Sequence, residues 1–225
     1  MSVGAPIYPV GLVVKGRRCL VVGGGPVAAR KISGLLACGA AVTVVAPEVH
    51  VAIGKLADAG AIDAIDEAPL EVQIRPYRSG EAADYLLVLA ATGNRTVDDA
   101  VHRDAVAAGV WVNVADDASR CTFVLPAVTR DGDVSVAVST AGASPALAGW
   151  LRDRVAAALG PGLGELATLL EEGRQRVHDQ GASTETIAWR TLLDGPLPEL
   201  VRQGRIAEAR AALHAFLDDS DAPPA

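Results

Sequence analysis

Cys19 to Lys31 reads CLVVGGGPVAARK, and no other stretch limits the fold of this chain so tightly. An apolar run closes on three consecutive glycines, and a helix-like segment, PVAARKISGLLACG (26–39), opens directly behind them. Val27, Ile32, Leu35 and Leu36 line one face of that helix, and Gly39 is placed as its stop. AVTVVAP (41–47) then supplies a second apolar strand. Strand, helix and strand in roughly 30 residues make a βαβ unit with a right-handed crossover.

Within that unit Gly23, Gly25 and Ala28 spell GxGxxA. The three positions serve different physical ends. Gly23 permits the tight turn, Gly25 lets the backbone approach a pyrophosphate, and small Ala28 lets the helix pack close to the strand. The anion then rests on unpaired N–H groups at the helix N-terminus. The alternative is a tight strand-to-helix turn with no ligand. An acidic residue at the end of the second strand would take the ribose hydroxyls. Here the strand ends Val45-Ala46-Pro47 and the nearest carboxylate is Glu48, with no arginine beside it to receive a 2′-phosphate, so NAD is preferred over NADP.

The pattern continues through strands at 71–77, 84–92 and 110–116, with a helix at about 94–108. Five buried strands with helical crossovers predict an α/β fold with a Rossmann-type, doubly wound parallel sheet. In such a sheet ligands meet the carboxyl ends of the strands. That rule places Ala91, Thr92 and Gly93 of LAATGNRTVD toward a cofactor, although Asn94 also reads as an ordinary helix cap. It also places Asn113, Asp116 and Asp117 of NVADDASRC on the same edge, where a carboxylate could take a proton while a nicotinamide takes hydride. The plain alternative is that these carboxylates are solvated or cap a turn. Two adjacent aspartates on an extended chain point apart, and Asp116 is the one expected to face the cleft.

Beyond residue 120 the style changes. CTFVLPAVTRDGDVSVAVST (121–140) reads as two strands joined through Asp131-Gly132, a hairpin-turn dipeptide. Ser144 can cap, and Pro145 can open, the helix ALAGWLRDRVAAAL; Gly160-Pro161-Gly162 breaks it, and LGELATLLEEGRQRVHD resumes. TETIAWRTLL and IAEARAALHAFL predict two shorter helices, and the tail DDSDAPPA is expected to fray. Three regions result: a Rossmann domain over 1–117, a hairpin and dimerisation region over 118–150, and a helical domain over 151–225.

A net charge of −7 argues against nucleic acid or an anionic membrane as a main partner. No apolar run approaches the length of a membrane span, and the N-terminus does not read as a secretory signal, so a cytoplasmic protein is expected. Cys19, Cys38 and Cys121 are widely spaced, which suggests reduced thiols rather than a disulfide framework or a cysteine zinc site. None of the four histidines belongs to a metal-spaced pair, and no standing metal site is predicted.

VGGGPVAARK, AATGNRTV, NVADD with FVLPA, and VSVAVSTAGASPALAGWLR, in this order over about 8–155, resemble the precorrin-2 dehydrogenase family, the dehydrogenase and ferrochelatase part of siroheme synthase. The resemblance implies NAD-dependent oxidation of precorrin-2 to sirohydrochlorin, followed by insertion of Fe²⁺, a substrate, to give siroheme. The family's key aspartate, implicated in both steps and a transient contact for metal during chelation, falls on Asp116. Its cofactor contacts fall on Gly23, Gly24, Gly25, Pro26 and Val27 and on Pro47 and Glu48, with Thr92 and Asn113 beside them. A phosphorylated serine of some members aligns with Thr140. The substrate is a polycarboxylate, so Arg30, Lys31, Arg95 and Arg120 are candidate counter-charges, each also readable as a solvated surface cation. The resemblance further implies a homodimer formed through the hairpin and the Ser144-Pro145 helix, and a separate uroporphyrinogen methyltransferase upstream. The rival readings are a dehydrogenase that relies on a separate chelatase, a chelatase that has lost dehydrogenation, and a regulatory Rossmann module that senses NAD without chemistry.

Overall fold

A computed structural model describes residues 6–60 and 70–220. Short apolar runs with Val and Leu on both faces form β1 (Arg18–Val22), β2 (Ala41–Ala46), β3 (Leu70–Ile74), β4 (Leu87–Ala90) and β5 (Trp111–Val114). They pair in parallel in the order β3-β2-β1-β4-β5. The order reverses between β1 and β4, and that reversal opens a crevice at the carboxyl ends of the central strands. Alternation along the strands sends Val21, Val42, Val44 and Leu89 to a core shared with α1 (Pro26–Leu36) and α2 (Val51–Gly60). Leu20, Val22, Val45, Val88 and Val112 face the other way, onto Val101 and Ala105 of α3 (Arg95–Ala107). Both faces of the sheet are therefore covered, which is why its strands read as near-continuous hydrophobic runs.

Several boundaries differ from the sequence reading. α1 ends at Leu36, and Gly39 turns the chain at φ +71°. The third strand stops at Ile74, and the fourth begins only at Leu87, because Glu81–Asp84 forms a 3-10 turn. α2 has no counterpart in the sequence reading. Its apolar face is alanine-rich and rests chiefly on Ile53, fully buried beneath it.

The chain divides into two compact units, residues 1–125 with 141–143, and residues 126–140 with 144–225. In the second, β6 (Ala127–Asp131) and β7 (Val134–Val138) form an antiparallel hairpin turned at Gly132. The first hairpin strand is shorter than the run 121–126 suggests. Thr122 instead bonds along β5, its N–H donating to Val112 O at 2.8 Å while Val112 N donates to Thr122 Oγ1 at 2.8 Å. α4 (Pro145–Leu159) is capped by Ser144 Oγ, which accepts from Leu147 N at 3.2 Å, and Pro145 occupies its first position as read from the sequence. Thr140 Oγ1 donates to Ser144 O and accepts from Ser144 N, both at 3.1 Å.

α5 (Leu163–Asp179), α6 (Trp189–Leu193), α7 (Leu197–Arg202) and α8 (Ile206–Ser220) share a core of Leu169, Leu197, Leu213 and Leu217. α7 is one helix more than the sequence reading places between α5 and α8. Of the tail expected to fray, residues 218–220 continue α8, with Asp218 paired to Arg176 at 2.6 Å; the rest lies outside the described residues. No helix among the described residues is long and apolar enough to cross a membrane.

Candidate active site

The three glycines behave differently although they are adjacent. Gly23 sits at φ +129°, and a β-carbon there would lie 2.2 Å from the Ala91 carbonyl oxygen. At Gly24 it would lie 1.8 Å from the Glu48 carbonyl oxygen, where the exit of β2 folds over the turn and His50 N donates to Gly24 O at 2.7 Å. At Gly25 it would meet nothing within 4 Å. Gly23 and Gly24 are thus glycines for the protein's own packing, whereas Gly25 opens onto space in front of the first turn of α1. That turn starts with Pro26, and its N-cap, Gly25, offers no side-chain acceptor to the leading N–H groups. Donors facing an open, side-chain-free approach fit the pyrophosphate of a dinucleotide. Ala28 is fully buried, which brings α1 close to the sheet. Exposed Pro47 and Glu48 leave β2 beside the same turn.

Thr92, at the exit of β4, is fixed by a buried carboxylate. Its hydroxyl donates to Asp98 Oδ1 at 2.7 Å and accepts from Asn94 N at 3.0 Å. Asn94 caps α3 by accepting from Thr96 N and Val97 N. The hydroxyl of Thr92 is therefore committed within the loop that it holds, and the loop rather than the hydroxyl faces the crevice.

The exit of β5 carries the most unusual backbone of the sheet edge. Asp116 is exposed, at φ +61°. A left-handed conformation is uncommon outside glycine, although Asp and Asn tolerate it best, and such residues cluster where function over-determines the geometry. The carboxylate of Asp116 makes no hydrogen bond among the described residues. Asp117 points elsewhere: its Oδ1 accepts from Ser119 N at 3.1 Å and from the Ser119 hydroxyl at 2.5 Å, and Oδ2 lies 3.5 Å from Arg120. Those hydrogen bonds, and then the guanidinium, hold its carboxyl below the usual range. Beneath the turn, the buried Cys121 thiol accepts from Val114 N at 3.3 Å and donates to Asp117 O at 3.2 Å, clasping both sides of Asp116. Burial pushes that thiol up.

Asn113 is buried on β5 with its amide fully used. Its Nδ2 donates to Phe123 O at 3.1 Å and to Cys121 Sγ at 3.4 Å, while Oδ1 accepts from Lys31 Nζ at 2.8 Å. Lys31 reaches that point from α1. Burial draws its ammonium below the ordinary lysine value; Cys121 and Asp116 pull it back up, and Arg30 lowers it. The other sequence-derived cations differ. Arg30 and Arg95 are exposed, and Arg120 is paired with Asp99 at 2.8 Å as well as with Asp117. No signal in the sequence joins Lys31 to Asn113, 82 positions away, or Thr92 to Asp98; the topology alone does so. Among the described residues no group of three or more His, Cys, Asp or Glu lies together as a metal site would require.

Comparison with known proteins agrees with this geometry. Residues 10–127 match the model of the putative NAD(P)-binding family, residues 131–158 that of the sirohaem biosynthesis protein central region, and residues 162–217 that of the sirohaem synthase dimerisation region. The dimerisation match thus lies on α5 to α8, and the central match takes in the hairpin turn and β7 but only the last residue of β6. The siroheme synthase of Nitrosococcus oceani is 37% identical over 217 residues, covering 96% of this chain and 45% of that protein. The siroheme synthase of Methylococcus capsulatus is 39% identical over 209 residues, covering 91% and 42%. The chain therefore spans less than half the length of these relatives. A solved structure titled SirC, precorrin-2 dehydrogenase, superposes with a TM-score of 0.69 at 27% identity, covering 96% of this chain and 99% of that one. With a glycine turn built for a dinucleotide and matches that follow in order along nearly the whole sequence, the chain belongs to the putative NAD(P)-binding family, in the form that continues into the central and dimerisation regions of the sirohaem synthases.

Proposed function

We propose that this chain oxidises precorrin-2 to sirohydrochlorin with NAD, in the biosynthesis of siroheme. The observation that carries the reading is Asp116, held in a left-handed backbone at the exit of β5, on the same sheet edge as the Gly25 opening. Its resemblance over nearly full length to a protein titled precorrin-2 dehydrogenase supports the substrate.

NAD, when bound, supplies the hydride acceptor. The chain's residues do the rest. Gly25 and the first N–H groups of α1 receive the pyrophosphate, with Pro26 and Val27 beside it. Glu48, exposed next to Pro47, takes the ribose hydroxyls, and Arg75, whose backbone N–H donates to Ala46 O at the strand end, has its guanidinium committed to Gln73 and Glu81 rather than to a 2′-phosphate. The loop that Thr92 and Asp98 fix borders the nicotinamide side. Precorrin-2 gives up two hydrogens; bound NAD would accept the one that leaves with its electron pair, and the Asp116 carboxylate accepts the other as a proton. Arg30, Lys31 and Arg95 offer positive charge to the substrate's carboxylates, whereas Arg120 is taken up by Asp99 and Asp117.

Insertion of Fe²⁺ as a second substrate belongs to the same proposal, with Asp116 taking a proton that the macrocycle releases. So does a cytoplasmic homodimer. The dimerisation-region match supports pairing of two copies, as do the exposed Leu147, Trp150 and Leu159 of α4.

The test is anaerobic absorbance spectroscopy with precorrin-2 and NAD⁺, first without metal and then with Fe²⁺. The expected result is NAD⁺-dependent sirohydrochlorin formation that Asp116→Asn abolishes, followed by metallation faster than the protein-free control. Binding of NAD⁺ without oxidation would overturn the dehydrogenase and leave a sensing module. Metallation at the control rate would remove the chelatase step alone.

A further inference from the structure

A polycarboxylate brought up to Asp116 meets a carboxylate of its own sign, on a chain of net charge −7. Something on that edge must offset the repulsion. Arg120, the cation nearest in sequence, is already paired with both Asp99 and Asp117. Arg30 and Arg95 extend into water, where a single cation attracts little. Lys31 is placed differently. Its stem is packed, Asn113 fixes its ammonium at 2.8 Å, and its other two N–H groups have no acceptor among the described residues.

The position also separates Lys31 from the dinucleotide. Val21, Leu89 and Asn113 lie side by side across β1, β4 and β5. Adjacent strands are about 4.8 Å apart, so Asn113 stands roughly 10 Å across the sheet from the strand that feeds the glycine turn. The ammonium is therefore held on the Asp116 side of the crevice, and Asp116 is among the charges that it feels.

We infer that Lys31 is the substrate-carboxylate anchor of this site, and that Asn113, which the sequence suggested as a cofactor contact, is the positioning residue that holds it there. The inference rests on the proposed tetrapyrrole function and deepens it. A pinned ammonium loses little freedom when a carboxylate arrives, and its desolvated setting strengthens the charge-assisted hydrogen bond. Asn113 is held in turn by Phe123 O and Cys121, so the clasp beneath Asp116 and the anchor for the substrate share one side chain.

The experiment is a fluorescence titration of the full chain with uroporphyrin, a stable polycarboxylate macrocycle, with NAD⁺ affinity measured separately by calorimetry. Lys31→Gln keeps a donor for Asn113 while removing the charge, and Lys31→Met removes both. Each is expected to weaken uroporphyrin binding about 10- to 100-fold, to lessen its dependence on salt, and to leave NAD⁺ affinity within twofold. Asn113→Ser is expected to weaken uroporphyrin in the same direction but to add nothing in the Lys31→Gln background, a coupling that a merely structural role would not produce. Unchanged uroporphyrin affinity in both lysine variants overturns the inference. A parallel loss of NAD⁺ affinity overturns it too, because the ammonium would then serve the dinucleotide. If the wild-type chain itself ignores uroporphyrin while binding NAD⁺, the tetrapyrrole reading falls and the anchor with it.

Discussion

Gly24→Ala and Gly25→Ala differ by one position and should have opposite consequences. A β-carbon on Gly24 would lie 1.8 Å from the Glu48 carbonyl oxygen, against about 3.2 Å for a tolerable contact. The β2 exit would have to retreat by more than 1 Å (roughly, by that difference), and the bond from His50 N to Gly24 O would be lost with it. Overpacking costs about 1–3 kcal/mol and the hydrogen bond about 1 more, so the variant should lose roughly 2–4 kcal/mol. For a chain of this length that is a fall in Tm of about 4–16 °C. Gly25 has an extended backbone at φ −83° and open space around its missing β-carbon. Alanine there should leave Tm unchanged or raise it slightly, since it also narrows the unfolded ensemble by about 0.4–1 kcal/mol. Its methyl group stands in the approach to the α1 N–H groups, so NAD⁺ affinity should fall about tenfold or more. Calorimetric titration and thermal unfolding on the same preparations check both halves. A Gly25→Ala chain that binds NAD⁺ like the wild type would refute the assignment of Gly25 to the ligand, and one as unstable as Gly24→Ala would refute the packing argument.

Asp116→Gly should keep or raise stability, because it relieves the left-handed backbone, while dehydrogenation falls by about 10²–10⁴; Asp116→Ala should lose the same activity and about 1 kcal/mol of stability as well. Steady-state rates beside melting curves separate the two effects, and an active Asp116→Gly chain would exclude the carboxylate from the chemistry. Asp131 Oδ2 accepts from both Gly162 N and Leu163 N at 2.7 Å, so Asp131→Ala should uncap α5 and cost about 1–3 kcal/mol, read as a lower denaturant midpoint, whereas Asp131→Asn should retain most of it. Burial pushes the Cys19 thiol up to about 11, with Arg17 opposing it. A thiol raised in the folded state stabilises below its unfolded pKa near 9 and loses that contribution as pH rises toward 11, so wild-type stability should drop by roughly 2–3 kcal/mol over that range. Denaturation curves at about pH 8 and about pH 10.5 should show a drop that Cys19→Ala reduces, the raised Cys121 thiol and Tyr77 hydroxyl leaving a residual fall.

What the sequence made legible follows from how local each cause is. The βαβ start, the GxGxxA turn, the Ser144 and Pro145 helix opening and the Asp131-Gly132 hairpin all depend on neighbours within a few positions. α2 was hidden because Ala and Gly dilute its apolar stripe, leaving Ile53 as its one large, fully buried side chain. The run from Cys121 to Leu125 looked like a strand because it alternates suitably, yet its bonds go to β5 rather than to β7. At the site the sequence could nominate Asp116, Asn113 and Lys31 from their places on strand ends and helix. It could not show that Asn113 turns inward to Lys31 or that Arg120 is neutralised twice, because those facts depend on strands brought together by the crossovers.

Charge placement follows from the same geometry. Asp99 and Asp117 neutralise Arg120, Ser119 and Arg120 occupy Asp117, and Asp98 is taken up by Thr92. Arg95 points into water. Among the described residues near the exits of β4 and β5, Asp116 has no protein donor and the part-buried Lys31 ammonium has one protein acceptor, Asn113. A carboxylate without protein donors and an ammonium with one protein acceptor do little for stability, since each leaves hydrogen-bonding capacity unused beside a packed core. On the proposed reading, their side of the crevice offers a proton acceptor and an anchoring cation to an incoming polyanion. On that reading the Cys121 and Asn113 hydrogen bonds hold in place the turn that carries Asp116 and the ammonium of Lys31.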